Sequence, residues 1–224
     1  MTQKEWFTSD YHFYHRNILK YTTRPCATVE EMNEFLIKNH NSVVSKHDMV
    51  YHLGDLCFGS REQKLEILNR LNGQFHIILG NHDGGLRAAI ESKYKVGKSK
   101  VLTINDSRLI RIHNQGIFLF HYACRTWPEN NRNTWMLYGH SHGSLDEFKV
   151  AQTLSDGTTK EVLLKTMDVG IDTCVGEKHQ RYFPYNFWEI KEIMDKRGFV
   201  PQDHHGVDEA ENLTSSSSSV TMPL

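Results

Sequence analysis

The fold is decided by residues Met49–Asp55, which read Met-Val-Tyr-His-Leu-Gly-Asp. This β-forming run predicts a strand that ends at a glycine and an acidic residue. A helix should follow, because Ser60–Gln63 forms a capping box and a leucine stripe runs from there to Gly73. Residues 74–79 predict the next strand. The strand–helix–strand order predicts parallel strands joined by right-handed crossovers, and therefore an α/β fold.

The same alternation extends to both sides of this unit. Upstream, residues 5–9 predict a first strand, and Thr28 with Glu31 forms a capping box that begins a helix. Downstream, short turns between closely spaced apolar runs favour antiparallel hairpins. A last helix should begin at Asn186 and end at Gly198. The strands predicted between these helices are residues 101–104, 108–113, 116–121, 135–139, 147–154 and 160–168.

Composition limits the number of domains and the class of partner. Residues 203–224 contain a run of five serines and almost no hydrophobic periodicity, so we predict a disordered tail there. Residues 1–202 are expected to form one domain. The sequence has 26 Lys and Arg residues against 27 Asp and Glu residues, giving a net charge of −1. This balance gives no overall excess of positive charge of the kind that proteins binding duplex nucleic acid usually have.

Hydropathy gives an expectation about location. The sequence contains no apolar stretch of about 18 residues, so no membrane span is expected. The segment Met1–Trp6 lacks the apolar core of a signal peptide. We therefore expect a cytoplasmic protein, and the sequence leaves its oligomeric state open.

Polar side chains follow five of the predicted strands. Carboxyl ends of strands in open α/β sheets meet at one edge, where such folds place their sites. We therefore expect these side chains to converge. They are Asp10 and His12 after the first strand, Asp55 after the second, Asn81, His82 and Asp83 after the third, and His121, His140 and His142 further along the chain.

These residue types are suited to a pair of divalent metals. Carboxylate oxygens and imidazole nitrogens bind hard and borderline divalent ions, and two such ions usually share a bridging carboxylate. Asp10 and His12 can reach one metal from a single turn, and Asp55 can bridge. Side chains alternate along extended chain, so two histidines separated by one residue should point the same way. The remaining candidate ligands are Asn81, His121, His140 and His142.

His82 has a different predicted role from its neighbours. It follows the candidate ligand Asn81 and precedes Asp83, which could hydrogen-bond the imidazole and set its tautomer. A histidine in this position suits protonation of a leaving alkoxide. We therefore predict that His82 and Asp83 belong to the catalytic machinery, although a purely supporting role for His82 remains open.

The five motifs in this order resemble the calcineurin-like metallophosphoesterase superfamily. Ser9–Ile18, Tyr51–Asp55 and Leu79–Asp83 are similar to a compact branch found in bacteria and their phages. The resemblance runs from about residue 6 to residue 143 and is weaker to about residue 198. It implies a four-layer α/β/β/α sandwich of two mixed sheets flanked by helices.

The resemblance also implies roles for individual residues. Two divalent ions would be bound, manganese being the first expectation and iron, zinc, nickel or magnesium the alternatives. The reaction would be attack of a metal-bound hydroxide on phosphorus, with His82 as general acid or transition-state donor and Asp83 behind it. The first ion would be held by Asp10, His12 and His142, the second by Asn81, His121 and His140, and both by Asp55.

Three further residues are candidates for substrate contact. His15 and Arg16 lie just past the first ligands, where the arginine fork suits a phosphate. Arg125 lies with Trp127 in a polar loop after His121. Capping or surface roles for the first pair, and structural packing for the second, are the alternatives.

The most specific expectation is a metal-dependent phosphodiesterase that hydrolyses a small or nucleotide-like phosphate ester. One alternative is a phosphomonoesterase, including a protein or polynucleotide-end phosphatase. Another is a non-catalytic metal-binding scaffold of the same fold. Scaffolds of this kind tend to lose ligands or the histidine of the Asn-His-Asp unit, and this chain retains Asn81, His82 and Asp83.

Overall fold

The computed structural model describes residues 2–92, 100–173 and 181–200. Within these ranges the helices are α1 Val29–Val43, α2 Arg61–Arg70, α3 Leu86–Glu91 and α4 Phe187–Asp195, with short 3-10 helices at Arg16–Lys20 and Asn130–Arg132. The strands are β1 Glu5–Thr8, β2 Met49–His52, β3 Gln74–Ile78, β4 Val101–Asn105, β5 Ser107–Ile112, β6 Gln115–Phe120, β7 Trp135–Tyr138, β8 Lys149–Thr153, β9 Thr159–Leu163, β10 Thr166–Asp168 and β11 Tyr185–Asn186.

The first sheet has the order β11-β1-β2-β3-β4. Strands β1 to β4 are parallel, and β11 pairs antiparallel with β1. The predicted capping boxes begin the helices between these strands: Thr28 accepts from the backbone N–H of Glu31 at α1, and Ser60 from that of Gln63 at α2. The predicted parallel β-α-β unit is therefore confirmed.

The second sheet has the order β10-β7-β6-β5. Strands β5 and β6 form the predicted antiparallel hairpin, whereas β6, β7 and β10 run parallel. The expected hairpin between β4 and β5 is wrong. Strand β4 pairs parallel with β3 and covers that edge of the first sheet, so the chain passes to the second sheet at Asp106. The one-residue link at Asp106 is short enough for a hairpin with β5, but it also allows β4 to pair with β3 in the other sheet.

Two apolar cores hold these layers together. Helices α1 to α3 pack on one face of the first sheet, where Met32, Ile67 and Phe75 are fully buried. The second core lies between the two sheets and includes Phe7 and Trp135, together with apolar residues of α4. The predicted fold class, two mixed sheets flanked by helices, is confirmed. The outer face of the second sheet is covered by Trp127, Phe148 and Val150.

Some expectations concern residues outside the described ranges. The predicted disordered tail, residues 203–224, lies there, so the domain boundary at residue 202 remains a prediction. Among the described helices, none combines the length and apolar content needed to cross a bilayer.

A buried hydrogen-bonded histidine links α1 to the first turn. The Tyr11 hydroxyl donates to Nδ1 of His40 over 2.7 Å, and Nε2 of His40 donates to the Asn72 carbonyl over 2.8 Å. His40 is fully buried in this neutral form. Burial therefore lowers the pKa of His40 to about 4, despite the hydrogen bond to Asn72.

This environment predicts acid sensitivity. Below the unfolded pKa, near 6.5, the unfolded chain takes up a proton that folded His40 takes up only near pH 4. Stability is therefore lost as pH falls through this window. Between pH 7 and pH 5, His40→Gln should lose about 2 kcal/mol less unfolding free energy than the wild type. Urea denaturation at both pH values measures this difference, with exposed His47→Gln as the control. Equal losses in all three proteins would exclude His40 as the source.

Candidate metal centre

The polar side chains predicted to converge do meet at one edge of the two sheets. Asp10 and His12 follow β1, Asp55 follows β2 and Asn81 follows β3. The others follow β6 and β7 of the second sheet, His121 directly and His140 and His142 after a short turn. Backbone hydrogen bonds join these loops, including Asp10 N–H to Gly54 C=O at 3.0 Å and Gly139 N–H to His121 C=O at 3.0 Å.

The acidic and histidine side chains form two adjacent groups, each with ligand atoms close enough for one ion. One group is Asp10, His12 and His142, and the other is Asp55, His121 and His140. Asp55 connects them: its Oδ2 lies 3.5 Å from Nε2 of His12 and 3.5 Å from Nε2 of His121. This is the position that a bridging carboxylate requires.

Asn81 belongs to the second group. Its Oδ1 lies 3.0 Å from Nε2 of His121. The other ring nitrogen, Nδ1 of His121, lies 2.8 Å from the Leu53 carbonyl and donates to it. When the ring is neutral with its proton on Nδ1, Nε2 presents a lone pair towards Asn81 and Asp55, which are also acceptors. A cation between them satisfies all three.

Most of these ligands have an unusual backbone conformation. Their loops turn through the left-handed region, which non-glycine residues seldom adopt and which is concentrated at functional sites. The positive φ values are 60° at Asp10, 52° at His12, 58° at Asp55, 69° at His140 and 48° at His142. The expectation that His140 and His142 point the same way by extended-chain alternation is therefore wrong. The turn sends them to different groups.

Two glycines are required by close packing in this centre. A Cβ on Gly54 would lie 2.3 Å from Nδ1 of His121, and Gly54 also has a φ of 99°. A Cβ on Gly80 would lie 2.2 Å from Oδ1 of Asp55 and 2.5 Å from its backbone nitrogen. The Gly-Asp and Gly-Asn pairs of the sequence therefore exist because the two loops touch.

The electrostatics of the centre favour added positive charge. Burial raises the pKa of Asp10 to about 7, even though His142 opposes that shift. Burial also raises the pKa of Asp55. The hydrogen bond from His121 and the charge of that histidine outweigh this effect and hold the pKa of Asp55 at about 2. Burial lowers the pKa of His121, but Asp55 and Asp10 reverse the effect and leave it above its ordinary value.

An unpaired buried atom tests whether the residues fit metal ions. Nε2 of His12 is buried and has no hydrogen-bond partner among the described residues. It faces Asp55 at 3.5 Å and Oδ1 of Asp10 at 3.9 Å. A buried polar atom without a partner is costly unless something binds it. The donor set of carboxylates, imidazoles and one amide oxygen suits two divalent cations, and no metal identity follows from it.

A buried ion pair supports the first group and was not recognised from the sequence. Nδ1 of His142 lies 2.7 Å from Oδ2 of Asp172. Asp172 in turn accepts two hydrogen bonds from Arg24, at 2.9 and 2.7 Å. Arg24 also donates to the carbonyls of Asp10 and Tyr11. Asp172 lies just past the predicted strand 160–168, where a turn is sufficient reason for an aspartate, and no sequence signal singles out Arg24.

His82 lies at the mouth of the centre and is exposed to solvent. Its ring centroid is 5.5 Å from that of His12 and 4.8 Å from that of Phe58. Its backbone N–H donates to Oδ1 of Asp55 over 2.8 Å. This location is compatible with the predicted donor role, which remains a prediction.

The predicted contact between Asp83 and the His82 ring is wrong. The buried carboxylate of Asp83 instead accepts three backbone hydrogen bonds, from Asp55 at 2.8 Å, Leu56 at 2.9 Å and Gly80 at 2.9 Å. Backbone donors exposed by the tight Gly54 and Gly80 turns attract the carboxylate inward. Asp83 therefore fixes the two ligand loops against each other and has a structural contact where a catalytic one was expected.

The candidate substrate residues differ in position. His15 lies beside the centre: its Nδ1 is 3.2 Å from Nδ1 of His12, and its ring stacks on Phe58 with centroids 4.1 Å apart. Arg16 is exposed at the start of the 3-10 helix. Arg125 lies over the Phe148 ring, with its guanidinium carbon 5.6 Å from the ring centroid. Substrate roles for these three residues remain predictions.

Two exposed aromatic residues beside the centre were not predicted. Phe58 packs against His82, and Tyr122 has its ring centroid 4.7 Å from that of His140 and 5.0 Å from that of His121. Trp127, in contrast, is buried and donates from Nε1 to the Thr134 carbonyl over 2.8 Å. For Trp127 the packing interpretation is therefore the correct one.

The fold and the paired ligand groups define an α/β protein with a candidate dinuclear metal centre. The calcineurin-like phosphoesterase superfamily domain matches residues 7–159, and the chain belongs to this superfamily. The superfamily resemblance inferred from the motifs is therefore confirmed.

Relatives and one solved structure extend this result. The chain is 38% identical over 154 residues to the uncharacterised protein MJ1445 of Methanocaldococcus jannaschii, covering 65% of this chain and 74% of that protein. It is 39% identical over 82 residues to the Gene 66 protein of Mycobacterium phage L5, covering 35% and 39% respectively. A protein of unknown function from Aquifex aeolicus, AQ665, has a TM-score of 0.57 at 20% identity, over 86% of this chain and 100% of that one, which supports the fold alone.

Proposed function

We propose that this protein is a phosphodiesterase that uses two divalent metal ions, manganese first among them, to hydrolyse a small or nucleotide-like phosphate ester. The observation that carries the proposal is the Asp55 carboxylate, equally distant at 3.5 Å from a histidine of each ligand group. Such a carboxylate serves two ions at once. Membership of a phosphoesterase superfamily supplies the reaction class.

The first ion would be held by Asp10, His12 and His142, and the second by Asn81, His121 and His140, with Asp55 shared. Divalent ions in such a pair polarise phosphoryl oxygens, acidify water and stabilise the charge that develops on phosphate. The chain's own contribution is to fix the ligand atoms. Leu53 and Asp172 hold the Nδ1 atoms of His121 and His142, so that the Nε2 atoms are directed at the carboxylates.

His82 supplies a proton donor in this proposal. It is exposed, close to His12, and held through its backbone by Asp55. A protonated imidazole there can donate to the oxygen of the departing group, which would otherwise leave as a high-energy alkoxide. The leaving group therefore lies on the side of the centre where His15 and Phe58 form an aromatic wall.

The test compares esters with defined metals. With Mn²⁺, the purified protein should hydrolyse bis(p-nitrophenyl) phosphate with a higher kcat/KM than p-nitrophenyl phosphate. Faster hydrolysis of the monoester would favour the phosphomonoesterase alternative. Failure with every ester and every metal would favour the scaffold alternative.

The His82→Ala variant should bind two metal ions normally, because the histidine is outside both ligand groups. We expect its kcat on a dialkyl-type ester to fall by about 10²–10⁴-fold, the range of general acid catalysis. The loss should be much smaller for a p-nitrophenyl ester, whose anion leaves without protonation. Unchanged turnover on both esters would remove His82 from the mechanism. The exposed Trp188→Ala serves as a control for surface substitution.

A further inference from the structure

A recess adjoins the metal centre on the side of the second-sheet histidines. It has a cavity volume of about 470 Å³ and is lined by both His140 and His142, so it opens onto both candidate ligand groups. Its remaining lining comes from the loop after β7 and from the end of the first 3-10 helix: Ile18, Tyr21, Thr22, Ser141, Ser144 and Leu145.

The lining of this recess is amphipathic. Tyr21 is 76% exposed and Leu145 is 52% exposed, while Ile18 is buried. Large apolar side chains exposed beside a polar centre commonly mark a ligand contact. Thr22 and Ser144 add hydroxyl-bearing side chains to the same wall. An aromatic ring, an aliphatic surface and hydroxyl groups together suit a nucleoside, whose base stacks and whose sugar accepts hydrogen bonds.

The recess and His82 lie beside different ligands. His82 is near His12, His15 and Phe58, whereas the recess is lined by His140 and His142. A phosphodiester has two substituents, and the one that leaves must be next to the proton donor. The second substituent can therefore occupy the recess, which lies beside different ligands from His82. A phosphomonoester has no second substituent and would leave the recess empty.

We propose that the recess formed by Ile18, Tyr21, Thr22 and Leu145 binds the retained substituent of the phosphodiester, and that this substituent is a nucleoside whose base packs on Tyr21. The proposal rests on the proposed phosphodiesterase function. It adds a residue-level basis for substrate preference that is independent of the metal ligands, because Tyr21 and Leu145 belong to neither ligand group.

The test keeps the leaving group constant and changes only the retained substituent. Thymidine 5′-(p-nitrophenyl phosphate) and methyl p-nitrophenyl phosphate release the same p-nitrophenolate. The wild type should favour the thymidine ester through a lower KM. Tyr21→Ala should reduce the ratio of the two kcat/KM values about fivefold or more, the effect of losing one stacked base. Tyr21→Phe should preserve the ratio, and Leu145→Ser should lower it in the same direction.

Two outcomes would overturn the inference. One is a ratio unchanged in both Tyr21→Ala and Leu145→Ser. The other is a Tyr21→Ala effect that follows the leaving group when the retained substituent is held constant. Tyr21 and Leu145 are largely exposed, so their substitution should not unfold the protein. Trp188, which is 59% exposed and lies on α4, provides a matched aromatic control whose replacement by alanine should leave the ratio unchanged.

A binding measurement separates this inference from the proposed function. Calorimetric titration of the Mn²⁺-loaded protein with thymidine 5′-monophosphate and with methyl phosphate compares the same phosphate with and without a nucleoside. The thymidine compound should bind more tightly to the wild type, and Tyr21→Ala should remove the difference. Equal binding by the wild type would contradict the inference. If no ester is hydrolysed but this difference is found, the phosphodiesterase proposal fails and the nucleoside site remains.

Discussion

Replacing Asp55 with asparagine should deprive the protein of both metal ions and reduce phosphoester hydrolysis roughly a thousandfold or more, since a lost metal charge is worth several kcal/mol. Asparagine has nearly the same shape as aspartate. Its Oδ1 can still accept the 2.8 Å hydrogen bond from the His82 backbone. What it lacks is the anionic Oδ2 that lies 3.5 Å from both His12 and His121.

The measurement counts ions and tests the fold in the same sample. Metal content per chain, determined by mass spectrometry after gel filtration, should fall from two towards zero in Asp55→Asn. Replacement of a ligand in one group only, His142→Asn, should remove mainly one ion. Asp195→Asn is the control, because that aspartate is exposed and pairs with Lys191 on the surface. Retention of two tightly bound ions by Asp55→Asn, with an unchanged melting temperature, would contradict the bridging assignment.

The seven candidate ligands could be predicted because of how α/β sheets are built. Each follows an apolar strand, and the carboxyl ends of parallel strands meet at one edge whatever the details of the loops. The capping boxes at Thr28 and Ser60 were equally readable, since they involve residues three apart whose side chains bond only neighbouring backbone. Local chemistry and strand order together were sufficient for these features.

Other features depend on contacts that no local pattern contains. The link at Asp106 is short enough for a hairpin, and only the open edge of β3 explains why β4 joins the first sheet. Adjacency in sequence was misleading for Asp83, which is drawn to backbone N–H groups of two tight turns and away from the neighbouring histidine ring. Arg24 and Asp172 are 148 residues apart, and their pairing becomes visible only when the chain has folded.

The second large expected effect is a loss of stability when the buried pair of Arg24 and Asp172 is broken. The guanidinium of Arg24 has no solvent exposure, and it neutralises the equally buried Asp172 while donating to the carbonyls of Asp10 and Tyr11. Burial raises the pKa of Asp172, but the hydrogen bonds from Arg24 and His142 outweigh it and hold the pKa at about 2. Arg24→Met would leave that charge uncompensated. We expect a loss of about 3–5 kcal/mol in unfolding free energy, as for other broken buried pairs.

A matched substitution on the surface shows how much of the stability loss in Arg24→Met comes from burial and how much from losing any ion pair. Arg70 also makes two hydrogen bonds to one carboxylate, from its Nη2 to both oxygens of Glu34, but its side chain is 35% exposed. Arg70→Met should therefore cost less than about 1 kcal/mol. Both values are obtained from urea denaturation of the metal-free proteins at pH 7. Equal costs at the two positions would show that the Arg24 network contributes no more than a surface pair.

The double variant tests whether the network acts through the charge of Asp172. Arg24→Met with Asp172→Asn removes both charges of this pair, so the total loss should be smaller than the sum of the two single losses. Asp172→Asn should also weaken binding of the first metal about 10–100-fold, because Nδ1 of His142 loses the carboxylate partner that orients its ring. Binding of the second metal should change less, since His121 is oriented by the Leu53 carbonyl. Additive losses of stability, or equal weakening of both ions, would mean that Arg24 and Asp172 support the fold generally and do not position His142.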